Sequence, residues 1–328
     1  MKFLGKTGVK VSRVGLGAMS FGGDADEKTA WDLYRAARDA GVNLIDTADV
    51  YNEGRSEEFL GRFMRGERDD LIVASKAYFP TSQDPNGRGS SRFHLVRAVE
   101  SSLRRLQTDR IDLYYLHRFD DATDLDETLR ALDDLVRAGK ILYPAVSNFA
   151  AWQIAHALGR QVAEGWARLV ASQPMYNLVK RTAEIEMLPM AQSLGIAVIP
   201  YSPTGGGLLT GKYGIDRKPE KGRLLDTKMY TVRYATPSFY DTAERFTALA
   251  GELGHHPTTL AVAWVASHPA VTSVLIGGRN LEQLAPALAA KNLVLDAETY
   301  ARISALSPEP PPATDRNEEK SAFNYGSR

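Results

Sequence analysis

The chain has 328 residues, 40 acidic and 40 basic side chains, and no cysteine. A formal charge of zero gives no reason to expect nucleic acid or an anionic membrane as partner. The missing thiols exclude disulfides, thiolate nucleophiles and cysteine-based zinc sites. Met1-Lys2-Phe3-Leu4-Gly5-Lys6 lacks the apolar core of a secretory leader. No apolar run approaches the ~20 residues that span a bilayer, so a soluble cytoplasmic protein is expected.

Phe3-Leu4 and Val9-Lys10-Val11, joined through Lys6-Thr7-Gly8, predict a short N-terminal hairpin. Strands are then predicted over 14–17, 43–46, 71–75, 111–116, 141–146, 168–173, 196–200 and 273–276. Helices are predicted over 27–40, 56–64, 92–106, 124–138, 150–163, 183–193, 241–253, 258–267 and 281–290. In 92–106, Phe93, Val96, Val99, Leu103 and Leu106 recur at spacings of three and four, which predicts one apolar face. The charges Asp133-Asp134 read as a solvated helix face.

Strands alternating with helices imply a parallel sheet. Eight such units fit a closed (β/α)8 barrel over 1–306 better than an open doubly wound sheet. The stretch 203–240 carries no clear barrel element, and long loops of that kind are functional or disordered. From Ser307, Pro308, Pro310, Pro311 and Pro312 lead a polar tail, 307–328, expected at the surface or disordered.

Active sites of such barrels form at the C-terminal ends of the strands. Those ends read Gly17-Ala18-Met19, Asp46, Lys76, His117, Ser147-Asn148, Gln173, Tyr201-Ser202-Pro203 and Gly277-Gly278-Arg279. Nearly all are polar, small or aromatic. Asp46, Lys76 and His117 lie 30 and 41 residues apart, about one strand–helix unit each, and Tyr51 follows Asp46 by five. Parallel neighbouring strands would gather all four at one rim.

A free phenol titrates at about pH 10. A nearby ammonium favours its ionised form, so Lys76 can tune Tyr51 while Asp46 holds Lys76 in place. His117 can hydrogen-bond a substrate oxygen. The set suits protonation of a carbonyl oxygen, and a nicotinamide hydride is the natural second reagent where neither cysteine nor metal-ligand spacing occurs. Taken singly, Asp46 reads as a turn residue, Tyr51 as one of 14 tyrosines, and Lys76 as a solvated lysine. Among six histidines, only His117 closes a predicted strand. The four together outweigh those ordinary readings.

Gly41-Val42-Asn43-Leu44-Ile45-Asp46-Thr47-Ala48-Asp49-Val50-Tyr51, Ala74-Ser75-Lys76 and Tyr115-Leu116-His117-Arg118 resemble the signatures of the aldo-keto reductases, NADPH-dependent (β/α)8 enzymes. The likeness continues through Val146-Ser147-Asn148-Phe149, Gln173-Pro174-Met175-Tyr176-Asn177, Tyr201-Ser202-Pro203, Leu208-Leu209-Thr210-Gly211-Lys212 and Ile276-Gly277-Gly278-Arg279. It covers about residues 1–305 in order. The resemblance implies reduction of an aldehyde or ketone by NADPH. In that reading Tyr51 is the general acid, Lys76 and Asp46 tune it, and His117 orients the carbonyl. Ser147, Asn148 and Gln173 hold the nicotinamide carboxamide, Tyr201 stacks on its ring, and Met19 lies near the ribose. Ser202, Pro203, Leu208 and Lys212 line the pyrophosphate; Gly277, Arg279 and Gln283 face the adenosine phosphate. A guanidinium at Arg279 suits a 2′-phosphate, so NADPH is expected over NADH. The family's arginine after the pyrophosphate lysine has two candidates here, Arg217 and Arg223. Pro286 and Ala287 stand where the family often has acidic and amide residues toward the adenine.

Three motifs mislead. Gly206 to Lys212 resembles a P-loop, but Tyr213 replaces the hydroxyl residue that would hold magnesium. Gly15-Leu16-Gly17 lacks the third glycine of a dinucleotide fingerprint, since Ser20 stands there. Tyr176 and Lys180 have a short-chain dehydrogenase spacing but follow a strand end. Two other functions compete: a cofactor-binding regulatory module resembling potassium-channel β subunits, and an isomerase or aldolase with Lys76 as Schiff-base nucleophile. The substrate is expected to meet Tyr78, Phe79, Phe119 and the loop after Tyr201. Composition leaves the oligomeric state open.

Overall fold

The computed structural model describes residues 1–316, 318, 321 and 322; the end of the expected tail lies outside the described residues. An antiparallel hairpin, β1 (Lys2–Phe3) and β2 (Lys10–Val11), comes first. Eight parallel strands follow: β3 (Val14–Gly17), β4 (Leu44–Asp46), β5 (Ile72–Ala77), β6 (Ile111–Leu116), β7 (Ile141–Ser147), β8 (Ala171–Gln173), β9 (Ala197–Val198) and β10 (Val274–Ile276). Their order is β10-β3-β4-β5-β6-β7-β8-β9. The ring closes where Val198 bridges Val271 and the Leu275 N–H donates to the Pro200 carbonyl at 3.0 Å. The fold is a (β/α)8 barrel, as the alternation of elements predicts.

The helices are α1 (Glu27–Asp39), α2 (Arg55–Phe63), α3 (Arg92–Leu106), α4 (Leu125–Arg137), α5 (Ala151–Glu164), α6 (Met187–Leu194), α7 (Arg223–Asp226), α8 (Lys228–Arg233), α9 (Pro237–Glu252), α10 (Pro257–Ser267), α11 (Leu281–Ala289) and α12 (Ala297–Ser304). Their starts are written locally. Asp26, Ser91 and Asp124 accept N–H bonds from the first turns of α1, α3 and α4, each cap worth about 1 kcal/mol. Among the described residues no helix is long and apolar enough to cross a membrane.

Strand alternation splits the core in two. Leu44, Ala74, Leu113, Tyr115, Ala145, Ala171, Ala197 and Leu275 fill the barrel, and Leu4 and Val11 of the hairpin plug its N-terminal end. Burying a leucine such as Leu4 stabilises by roughly 1.5–3 kcal/mol. Gly5 (φ +58°) makes that seat possible, because a Cβ there would stand 2.9 Å from the Gly195 and Val170 carbonyl oxygens. Outside the strands, Val73, Tyr114 and Leu116 pack against the helices.

Several expectations need correction. Asp133 is buried, not solvated: it accepts the Ala167 N–H at 2.8 Å and the Arg137 Nε–H at 2.6 Å. The apolar face of α3 is rotated: Leu95, Val99, Leu103 and Leu106 are buried, while Phe93 and Val96 are exposed, Phe93 under the Arg97 guanidinium. The stretch 203–240 is not structureless; it holds a glycine-rich 3-10 turn (Gly205–Thr210), α7, α8 and the start of α9 at Pro237. Helix α12 has no counterpart among the predicted elements. Tyr176 does follow β8, and its hydroxyl donates to Glu184 Oε1 at 2.7 Å, a structural bond.

Candidate active site

The period of two along β5 sends Lys76 into the barrel and Ser75 toward the helices. Lys76 Nζ donates to Asp46 Oδ1 at 2.5 Å and to the Thr47 carbonyl at 2.7 Å. Gln173 Nε2 donates to Asp46 Oδ2 at 2.8 Å. Lys76 is fully buried, and a charge is tolerated there only because it is paired and hydrogen-bonded. Nζ lies 5.0 Å from the centre of the Tyr51 ring. Tyr51 leaves β4 on a tight turn in which Asn52, Glu53 and Gly54 all have positive φ (50°, 60° and 89°). Asn52 Nδ2 ties that turn to the β3 loop by donating to the Met19 and Phe21 carbonyls. The His117 ring stands edge-on, 5.9 Å from the Tyr51 ring and 5.0 Å from that of Phe79. The structure thus brings Asp46, Tyr51, Lys76 and His117 together.

Burial pushes the Tyr51 phenol up, and Lys76 offsets that only in part. Without a bound group the phenol is therefore held protonated, where the sequence led us to expect a lowered value. Burial alone would depress Lys76, but its partners Asp46, which carries the charge, and Tyr51 outweigh it, so the ammonium persists and has no lone pair for a Schiff base. Burial raises Asp46 against the opposing pull of Lys76 and Gln173. Burial, helped by the Lys76 charge, lowers His117 to about 3, which leaves a neutral imidazole.

A polar ledge borders this cluster. Ser147 Oγ donates to the Gln173 carbonyl at 2.9 Å, Asn148 Nδ2 to the His117 carbonyl at 3.0 Å, and the Tyr201 hydroxyl to Asn148 Oδ1 at 2.8 Å. Asn148 and Ser202 both take φ 56°, a left-handed conformation that costs of order 1 kcal/mol each and concentrates at functional sites. Farther round, Lys212 lies along the Gly207 backbone. Burial lowers its pKa, and the charges of Arg279 and Arg223 lower it further. Arg279 is held by Asp24 at 2.9 Å, and its N–H donates to Gln283 Oε1 at 3.1 Å. Of the two candidate arginines, Arg223 joins Lys212, whereas Arg217 turns away to the Tyr213 carbonyl.

Other sites expected from the sequence are placed as follows. Met19 is exposed at the rim, and Gly277 lets its backbone approach Gly17, where a Cβ would meet the carbonyl at 2.9 Å. Pro203 and Leu208 are buried, so the Leu208 side chain faces the core and leaves only backbone for a phosphate. The Pro286 carbonyl accepts from Thr259 Oγ1, and Ala287 is buried. Phe119 packs on Phe149 and Trp152 rather than on His117. Sequence reasoning missed Tyr230 and Arg233 of α8, which stack on each other near Tyr51 and Tyr201. Their one signal was a three-residue spacing inside a stretch with no other pattern.

A sequence model of the Aldo/keto reductase family matches residues 13–308. The chain is 38% identical over 324 residues to the uncharacterized oxidoreductase YrpG of Bacillus subtilis (strain 168), covering 94% of this chain and 96% of the relative. It is 35% identical to a probable voltage-gated potassium channel subunit beta of Oryza sativa subsp. japonica, over 96% of this chain and 98% of the relative. It is 30% identical to the versiconal hemiacetal acetate reductase of Aspergillus parasiticus, over 90% and 93%. The chain belongs to the aldo/keto reductase family and is an oxidoreductase of that family.

Proposed function

We propose that the protein reduces aldehydes or ketones to alcohols with NADPH, Tyr51 acting as general acid. The observation that carries this reading is the fully buried Lys76 ammonium, fixed by Asp46 beneath a protonated phenol and beside a neutral imidazole. In this reading Tyr51 gives its proton to the carbonyl oxygen, and Lys76 stabilises the phenolate left behind. Asp46 and Gln173 keep Lys76 in place. His117 is neutral and donates a hydrogen bond to the same oxygen, while Phe79 and Tyr201 exclude water. When bound, the nicotinamide supplies the hydride that adds to the carbonyl carbon.

The residues present fit such a cofactor. Lys212, Arg223 and Arg279 bring three cations within electrostatic reach of one another, with Asp24 paired to Arg279, an arrangement that calls for an anion. Ser147, Asn148 and Gln173 would hold the carboxamide, Tyr201 would stack on the ring, and Met19 would lie by the ribose. Ser202, Pro203, Lys212 and the Leu208 backbone would meet the pyrophosphate. Gly277, Arg279 and Gln283 would face the adenosine phosphate, where the Arg279 guanidinium favours NADPH over NADH. We further propose that the barrel over 1–306 forms one domain and acts in the cytoplasm on a small carbonyl compound.

The test is Tyr51→Phe. It should lower kcat by about 10²–10⁴ while the Kd for NADPH, read from cofactor fluorescence, moves less than about twofold. Wild-type turnover in that variant would remove Tyr51 from the chemistry. The second reading, a regulatory cofactor-binding subunit, draws on the name of the rice relative. A wild-type protein that binds NADPH yet oxidises none across an aldehyde panel would favour it.

A further inference from the structure

The reacting centre carries no net charge. Lys76 is paired with Asp46, His117 is neutral and Tyr51 is protonated. Selection of substrate by charge therefore falls to groups farther out.

A ladder of side chains leads outward from His117. The Phe79 ring meets it at 5.0 Å, the Tyr78 ring meets Phe79 at 5.3 Å, and the Arg118 guanidinium lies 5.9 Å from the Tyr78 ring centre. Arg118 is exposed and pairs with no carboxylate among the described residues. A second arginine stands across the mouth, on the segment after β9. Tyr230 is flanked by Arg223 and Arg233, at 5.2 and 5.1 Å from its ring centre. The Tyr230 ring packs at Gly206 on the loop after β9, and its phenol bears on both Tyr51 and Tyr201, so it lies near the reacting centre. The Arg233 charge bears on Tyr201 and Tyr234, and Arg233 too has no carboxylate partner among the described residues. Arg223 differs, because its charge bears on Lys212 on the phosphate side. Two strands, β7 and β8, separate β6 from β9, so Arg118 and Arg233 rise from different walls of the barrel mouth, Arg118 beside Tyr78 and Phe79 and Arg233 beside Tyr230.

We propose that Arg118 and Arg233 form a cationic rim that selects aromatic aldehydes carrying a carboxylate remote from the carbonyl. The proposal rests on the carbonyl-reductase reading for its orientation: carbonyl at Tyr51, ring between the aromatic walls, carboxylate at the rim. A guanidinium recognises a carboxylate through two parallel N–H donors. Neither arginine has to surrender another carboxylate to do so.

The test compares 4-carboxybenzaldehyde with its methyl ester, methyl 4-formylbenzoate, on wild type, Arg118→Ala and Arg233→Ala. Binding is measured by titration calorimetry on the NADP⁺-loaded protein, and kcat/KM with NADPH. Each substitution is expected to lower the acid-to-ester ratio, in both measurements, by about fivefold, the size of a partly exposed charge-assisted contact. High salt should lower the wild-type ratio in the same sense. A ratio unmoved by both substitutions overturns the rim. So does a Kd for NADPH that rises fivefold in Arg233→Ala with the ratio unmoved, which would make Arg233 a cofactor ligand. If the binding ratio responds while neither aldehyde is turned over, the rim stands and the reductase reading falls.

Discussion

Strand β5 carries a polar cluster on each face, and the two handle buried charge differently. Inside the barrel there is one cation and one anion, and each Asp46 oxygen has its own donor. On the helix side, Ser75 Oγ donates to Glu57 Oε1 at 2.5 Å and Arg105 Nε donates to Glu57 Oε2 at 2.7 Å. Asp49 shares that side but is left over. It is buried, and neither carboxyl oxygen makes a well-formed hydrogen bond among the described residues, apart from weak support by the Val50 N–H. Burial, with the Glu57 charge adding to it, raises Asp49 to about 8. The outer cluster thus keeps one ion pair and protonates its spare acid, whereas the inner one stays ionised where a charge is useful. Burial raises both aspartates, three residues apart in sequence, but Asp46 has the Lys76 ammonium bonded to it and Asp49 has no cation bonded to it.

Lys76→Met breaks the inner half of that contrast and should have the largest effect. It strands Asp46 as a buried, uncompensated carboxylate, a change that costs about 3–5 kcal/mol. It also removes the ammonium that steadies the phenolate, so kcat should fall at least about 10³-fold. Denaturant unfolding and steady-state rates read the two effects. The double variant Lys76→Met/Asp46→Leu should regain stability without activity, because no unpaired charge remains. Recovery of both together would mean that the pair serves structure alone.

Asp49→Asn sharpens the outer half. The unfolded carboxyl ionises near 3.8 and the folded one at about 8. Between those values the unfolded state binds fewer protons, so wild-type stability falls as pH rises and levels off above about 8. The stabilisation by the protonated form is complete below the unfolded value. Asparagine carries no proton to lose, so the variant should match wild type near pH 4 and surpass it by a few kcal/mol at pH 8. Glu57, Arg105, Lys76 and Tyr114 face the same group and remain in both proteins, so their titration cancels in the difference. Parallel stability–pH curves would show Asp49 ionised as an ordinary surface acid.

The inner cluster was readable because each member closes an apolar run: Asp46, Lys76 and His117 end β4, β5 and β6, and strand ends of a barrel converge whatever the rest of the chain does. The outer cluster was not. Ser75 sits mid-strand and Glu57 in the first turn of α2, and their meeting depends on how α2 and α3 rest on β5. Asp133 misled for a related reason. Its helical position looks solvated until the backbone N–H of Ala167 arrives from the next connection and needs an acceptor. Tyr230 and Arg233 belong to a segment with neither period, held by contacts within itself and with the glycine-rich turn, such as Thr231 Oγ1 to the Leu224 carbonyl and the Tyr230 ring against Gly206. Hydrophobic period specifies a face; it does not specify which distant group will cover it.

The smallest expected effect tests whether His117 belongs with the neutral or the charged groups. An ordinary histidine titrates near 6.5 and would give kcat/KM an acid limb within the assay range. Burial and the neighbouring Lys76 charge lower His117 to about 3, so it gains its proton only far below that range. The profile should stay flat from about pH 5 to 8 as far as His117 is concerned. The same shift gives a linkage of opposite sign to that of Asp49: as pH falls below about 6.5, the unfolded imidazole takes a proton that the folded one refuses, and stability declines toward pH 3. A limb near pH 6.5 that disappears in His117→Gln would place a charged imidazole beside Lys76, and the inner cluster would then carry the surplus cation that its geometry is built to avoid.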